Sequence, residues 1–164
     1  MAVVDNRALS QASKRAQQAE VPLIVLFVVS PQDYAAHDRG PRKIDFVLRN
    51  LESIKVRGYR PPHRYTLSQS IVQRSLKGLN IPLYVTTHAL RRTLPAAVVN
   101  LLKEWSVKEL YANIEYEIDE LRRDTKILEL AKQEGIRCTF IHDKLLVEPG
   151  TIFTQQGKPF AVSD

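Results

Sequence analysis

The sequence predicts an α/β fold, a three-layer α/β/α open parallel sheet, and three features carry that expectation. Val21 to Val29, VPLIVLFVV, is an unbroken apolar run of strand length, rich in β-branched residues, which suits a parallel strand buried on both faces. Further short apolar segments at 81–86, 108–113 and 136–141 alternate with amphipathic helical stripes. Alternation of that kind with short connectors favours parallel strands joined by right-handed crossovers, with helices covering both faces.

Taken in order, Asp5 is placed to cap a first helix over 6–19, on which Ala8, Leu9, Ala12, Ala16 and Ala19 share a face. The 21–29 strand follows. Ser30 to Gly40 reads as a polar loop holding Asp33, Tyr34, His37, Asp38 and Arg39. Pro41 then starts a helix in the position proline favours, with Ile44, Val47, Leu48, Leu51 and Ile54 inward. From Val56 to about Ser75 periodicity fails, prolines pair and acids are missing, so 56–75 reads as an irregular basic insert.

Ile81 to Thr86 is the next strand. Leu94 and Pro95 open a helix with Val98, Leu101, Leu102 and Trp105 at i, i+3, i+4 and i+7, which places Trp105 in the core. After the 108–113 strand, Leu121, Ile127, Leu128 and Ala131 form another stripe, ended by Gly135 at C′. Ile136 to Ile141 closes the sheet.

At 164 residues and 44% hydrophobic content, the chain suits one domain with one core. No stretch approaches the ~20 apolar residues of a membrane span. Charges at Asp5, Arg7, Lys14 and Glu20 interrupt what would be the apolar core of a signal peptide, so an intracellular, soluble protein is expected. Cys138 is the single cysteine, which excludes an internal disulfide, and its place in a strand suits a small buried thiol. The net charge of +6 is local: Ser53 to Lys103 carries nine Lys/Arg and no acid, while the remainder carries 15 basic against 18 acidic residues. That distribution weakens a nucleic-acid reading based on charge alone.

The stretch Lys108 to Asp124, KELYANIEYEIDELRRD, is where a strand runs into an acidic loop and a helix. Open α/β sheets place ligand groups at such carboxyl ends. Asp119 and Glu120 also suit a helix N-terminus as caps and dipole partners. Arg122, Arg123 and Asp124 read as structural ion pairs. His63, His88 and His142 lack metal-ligand spacing, so no metal is expected. The chain has no G-x-G-x-x-G, P-loop or G-x-S-x-G, and nothing points to a catalytic residue.

Asn113-Ile-Glu115-Tyr116-Glu117-Ile-Asp119-Glu120-Leu-Arg122-Arg123-Asp124 resembles the A-N-x-E-Y-E-x-[ND]-E-x-x-R-D motif of the N-terminal domain of DNA photolyases and cryptochromes. Asp5-Asn6-Arg7-Ala8-Leu9 is similar to the family's D-N-x-A-L, and Pro41-Arg42 to its S-P-R helix start. His142 to Gly150 with Gly157 to Phe160 resembles its H-D-x-x-L-x-x-P-G … G-x-P-[YF] close. The resemblance implies a Rossmann-like antenna domain spanning 1–164. In the family that domain holds a light-harvesting chromophore, methenyltetrahydrofolate or a deazaflavin. The folate positions correspond to His37, Asp119 and Glu120; the family often has Asn where this chain has Asp119.

The resemblance further implies that light-driven repair of pyrimidine dimers in damaged DNA belongs to an FAD-binding helical domain, absent from these residues. The chain alone is therefore expected to lack lyase activity. The alternatives are a cryptochrome-derived interaction fragment, including one that associates with a full-length photolyase, or an inactive truncated product. A general nucleotide-binding module is disfavoured by the lack of a phosphate-cradling glycine loop.

The family's first strand, central in the order 3-2-1-4-5, has no counterpart beyond Met1 to Val4. Strands 21–29 and 108–113 are then expected either to pair directly or to leave two interior edges unpaired, at roughly 1–3 kcal/mol per buried unpaired group. Marginal stability, rearrangement or strand exchange in a homo-oligomer is the expected consequence.

Overall fold

The computed structural model describes residues 6–37, 40–52, 76 and 81–158. The 56–75 insert and Asp5 lie outside the described residues. Asn6 caps α1 (Arg7–Ala19): its side chain accepts from the Leu9 amide at 2.9 Å. β1 (Val25–Val29) is shorter than the apolar run suggested. Its partner β2 (Leu83–Thr87) begins after Pro82, whose carbonyl takes the first rung from the Val25 amide at 2.9 Å. Val21 and Ile24 are left exposed before that rung.

The expected polar loop contains a short helix, α2 (Pro31–Ala36), because Pro31 stands at a helix start and Ala35 and Ala36 extend it. α3 (Pro41–Glu52) opens at the expected proline. Beyond β2, a 3₁₀ turn (Arg91–Thr93) leads into α4 (Leu94–Glu104), β3 (Glu109–Asn113), α5 (Ile118–Gln133) and β4 (Arg137–Ile141). α5 closes in a Schellman arrangement: the Gly135 amide donates to Lys132 and the Ile136 amide to Ala131, with Gly135 at φ +71°.

Both strand pairs among the described residues are parallel, but the expected single sheet is divided. β1 pairs with β2 and β3 with β4, each over five residues in register, from Val25 with Leu83 and from Glu109 with Arg137. Among the described residues β1 and β3 do not pair with each other. Of the two arrangements open to the sequence, direct pairing of β1 with β3 is the one that the described residues do not show.

Side chains hold the halves together. Leu26 and Val28 of β1 join Leu110 and Cys138 of the other pair against α4 and α5, around Leu94, Val98, Val99, Leu102, Ile127 and Ala131. Val25, Phe27 and Val29 point the other way, to Leu9 of α1, Val47 of α3 and the fully buried Leu76. The period-two alternation of β1 thus serves two cores, as a strand between two helical layers must. Trp105 is not in the core as expected. α4 ends one residue earlier, so Trp105 is its half-buried C-cap and meets the exposed Tyr84 edge-on, ring centroids 4.7 Å apart.

Candidate functional site

Three connections leave the carboxyl ends of β1, β2 and β3 and converge. His37 is the C-cap of α2, its amide donating to the Asp33 carbonyl at 3.1 Å. Arg91 begins the 3₁₀ turn after β2, its amide bound to the Gln32 side chain at 2.9 Å. Glu117 is the N-cap of α5, with Asp119 and Glu120 in the first turn. Ion pairs among these connections bridge the two strand pairs at the end of the sheet where α/β folds hold ligands.

His37 and Glu120 are brought together. His37 Nε2 lies 3.2 Å from Glu120 Oε1, and its Nδ1 lies 3.9 Å from Glu117 Oε2. Glu120 is 5% exposed, a rare degree of burial for a carboxylate. Its Oε2 and His37 Nε2 are buried without an aligned hydrogen-bond partner, so the 3.2 Å approach is an ion-pair distance and not a made hydrogen bond. Ser30 Oγ, at the end of β1, is also buried and unpartnered. Buried polar atoms of this kind ordinarily find a partner, and leaving one without costs roughly 1–3 kcal/mol.

Asp119 does not join that pair. It turns to Arg91, Nη2 to Oδ2 at 2.8 Å, while Arg91 Nε holds Asp33 at 2.7 Å. Arg122 stands 3.6 Å from the other Asp119 oxygen. Hydrogen bonding from Arg91 holds the Asp119 carboxyl below the ordinary aspartate range, against the upward push of burial. Arg91 therefore straps α2 to the start of α5 and takes up the charge that an Asn at 119 would not bring. Sequence reasoning missed Arg91, and nothing local marks it; only the pairing of β1 with β2 carries it beside Asp33.

The remaining signature residues behave as expected. Arg123 binds Asp124 at 2.8 Å and Glu115 at 3.4 Å, and Lys144 reaches Glu115 at 2.7 Å. Cys138 is half-buried, and burial pushes its thiol pKa up, as for an unreactive thiol. The metal reading weighed only His63, His88 and His142, yet His37, Glu117 and Glu120 place possible ligand atoms all within 4.8 Å of one another. No helix among the described residues is long and apolar enough to cross a membrane.

The sequence model of the DNA photolyase family matches residues 3–57 and 65–163, and the unmatched 58–64 fall inside the irregular basic stretch. A deoxyribodipyrimidine photo-lyase of Neurospora crassa is 38% identical over 162 residues, covering 96% of this chain and 23% of its own length. The deoxyribodipyrimidine photo-lyase of Vibrio cholerae is 27% identical over 158 residues, covering 96% of this chain and 29% of its own. A crystal structure of a bacterial class III photolyase from Agrobacterium tumefaciens superposes with a TM-score of 0.64 at 17% identity, over 96% of this chain and 27% of that one. The chain thus spans about a quarter of the length of the curated relatives it matches.

Proposed function

The chain belongs to the DNA photolyase family, and on that premise we propose that it is the light-harvesting part of a deoxyribodipyrimidine photo-lyase, holding a folate-type antenna chromophore between α2 and α5. The observation that carries the reading is the unpartnered pair of buried atoms, Glu120 Oε2 and His37 Nε2, at the carboxyl end of the sheet. The donor set suits a pterin. A carboxylate accepts two hydrogen bonds at once from the adjacent N–H groups of an amino-pyrimidinone, and an imidazole donates or accepts beside it.

The residues divide the work. Glu120 supplies the buried acceptor, and His37 lies against its other oxygen, 3.2 Å away. Arg91 fixes the spacing by gripping Asp33 and Asp119 together. Asp119 acts here as a strut, which alters the role expected for it. The chromophore, when bound, absorbs near-ultraviolet light and passes on the excitation energy. In a complete protein that energy drives repair of pyrimidine dimers in DNA by a reduced flavin, so FAD belongs to the parent activity and not to this cleft.

The experiment is absorption spectroscopy of the purified 164-residue chain mixed with methenyltetrahydrofolate and passed through a desalting column. Retention of a stoichiometric near-ultraviolet band beyond that of Trp105 supports the reading. Complete loss of the band, with the chain shown to be folded by circular dichroism, refutes it.

A further inference from the structure

We propose that Tyr116 is a redox-active tyrosine: it yields one electron to an electronically excited heteroaromatic dye while its phenol proton passes to His142. The arrangement comes from strand pairing. Asn113 lies opposite Ile141 in the parallel register of β3 and β4, and the Ile114 amide continues the ladder to the Ile141 carbonyl at 2.9 Å. The connections leaving the two strands therefore start side by side, which sets Tyr116 against His142. Tyr116 Oη and His142 Nδ1 are 2.5 Å apart, the short end for a hydrogen bond, and the two ring planes differ by 27°. On the far side of the imidazole, Nε2 lies 2.9 Å from Glu148 Oε1.

These partners fix the proton positions. An ionised carboxylate only accepts, so in the neutral imidazole Nε2 carries the proton toward Glu148, and the lone pair of Nδ1 accepts from the Tyr116 hydroxyl. A histidine backed by a carboxylate takes a proton from a hydroxyl in the same way in hydrolases. Oxidation makes a phenol strongly acidic, so electron and proton leave together where a base is already in contact. The balance is complete: the dye gains the electron and becomes its radical anion, and His142 Nδ1 gains the proton. Glu148 holds the imidazolium so formed, and Tyr116 is left as a neutral tyrosyl radical.

Tyr111 provides the contrast. Its hydroxyl also donates to a carboxylate, Glu109 Oε2 at 2.8 Å, but Arg15 and Arg137 bind that carboxylate as well. Hydrogen bonding from Arg15 holds Glu109 below the usual glutamate range, which makes it a poor proton acceptor. The inference does not rest on the chromophore reading, because the dye is supplied in solution.

The full 164-residue chain is illuminated with flavin mononucleotide and a nitroso spin trap, and the tyrosyl adducts are placed by peptide mass spectrometry. Tyr116 should give more adduct than Tyr111, and more than Tyr84 although Tyr84 is 44% exposed. His142→Ala should lower the Tyr116 adduct by at least about tenfold, and added imidazole should restore it, a rescue that a packing role would not give. Glu148→Gln should lower it by only about two- to threefold, since the Glu148 side chain is 57% exposed and water takes its place.

Electron paramagnetic resonance supplies a readout on conservative variants: Tyr116→Phe should remove more of the light-induced tyrosyl signal than Tyr111→Phe. Three outcomes overturn the proposal: a Tyr116 adduct no greater than that of Tyr111, a His142→Ala yield that is unchanged or that imidazole does not restore, or a tyrosyl signal that Tyr116→Phe leaves intact.

Discussion

Asn113, at the last position of β3, donates from Nδ2 to Asn6 Oδ1 at 3.1 Å, and its own Oδ1 accepts from the Ala8 amide at 3.1 Å. Asn6 Oδ1 meanwhile takes the Leu9 amide and Asp143 takes the Arg7 amide at 3.3 Å. The first three amides of α1, which no helix can satisfy internally, are thus met by side chains from three separate parts of the chain. Those residues belong to the D-N-x-A-L, A-N-x-E-Y-E and H-D motifs that first suggested the family. The motifs are dispersed in sequence because they meet around one helix end.

Asn113→Ala leaves the Ala8 amide and the Asn6 side chain short of a partner. It should cost about 1–2 kcal/mol and lower the thermal midpoint by about 2–8 °C. Asn113→Asp keeps the acceptor and adds a charge favourable at a helix N-terminus, so it should lose less. Thermal circular dichroism of the three proteins checks the order, and an Asp variant as weak as the Ala variant would contradict it.

Ser106 closes α4 at φ +55°, its amide donating to the Lys103 carbonyl at 2.8 Å. A left-handed backbone strains a residue with a Cβ, so Ser106→Gly should stabilise the chain by about 0.5–1 kcal/mol. A rise in the urea midpoint at unchanged slope is the expected result.

The acid limb of stability should carry the mark of Asp119. Because Arg91 holds its folded pKa below the unfolded value, its contribution is complete above the ordinary aspartate value near about 4 and fades as pH falls through the lower folded value. Asp119→Asn removes that titration. Its thermal midpoint should fall less steeply than the wild type's over the same acidic interval, and parallel curves would show that the Arg91 contact does not form.

Ile127→Ala should cost about 2–4 kcal/mol, whereas Leu128→Ala should cost under about 0.5 kcal/mol, a contrast that denaturant titration of both variants reads directly. The helical stripe read from the sequence made these two equals. In the structure Ile127 is 7% exposed and Leu128 41%, and the buried face of α5 runs through Glu120, Ile127 and Ala131. Hydropathy placed the helix correctly but turned it slightly, because a carboxylate at an inward position carries no apolar signal. The same blindness explains the site. Glu120 and His37 were legible through motif and loop position, while Arg91 was not, since its role arises from the parallel pairing of β1 with β2. The division of the sheet was half legible: the resemblance to a family whose central first strand has no counterpart beyond Met1 to Val4 left direct pairing of β1 with β3 and unpaired edges both open.

Glu120 and Asp119 are adjacent in sequence and should part company in function. Glu120 is buried, with one oxygen lacking a partner, and Asp119 is engaged by Arg91. Glu120→Gln replaces one acceptor oxygen by a donor and removes the charge that a pterin N–H pair would meet, so folate retention should fall by at least about tenfold. Asp119→Asn keeps an acceptor for Arg91 and restores the residue type common in the family, so folate retention should stay within about threefold of the wild type. Arg91→Ala should lie between them, since it frees both Asp33 and Asp119 without touching the buried oxygen. Equilibrium dialysis of the four proteins against methenyltetrahydrofolate ranks them. If Asp119→Asn proves the most damaging, Asp119 is itself a ligand group, and the strut role assigned to it through Arg91 is wrong.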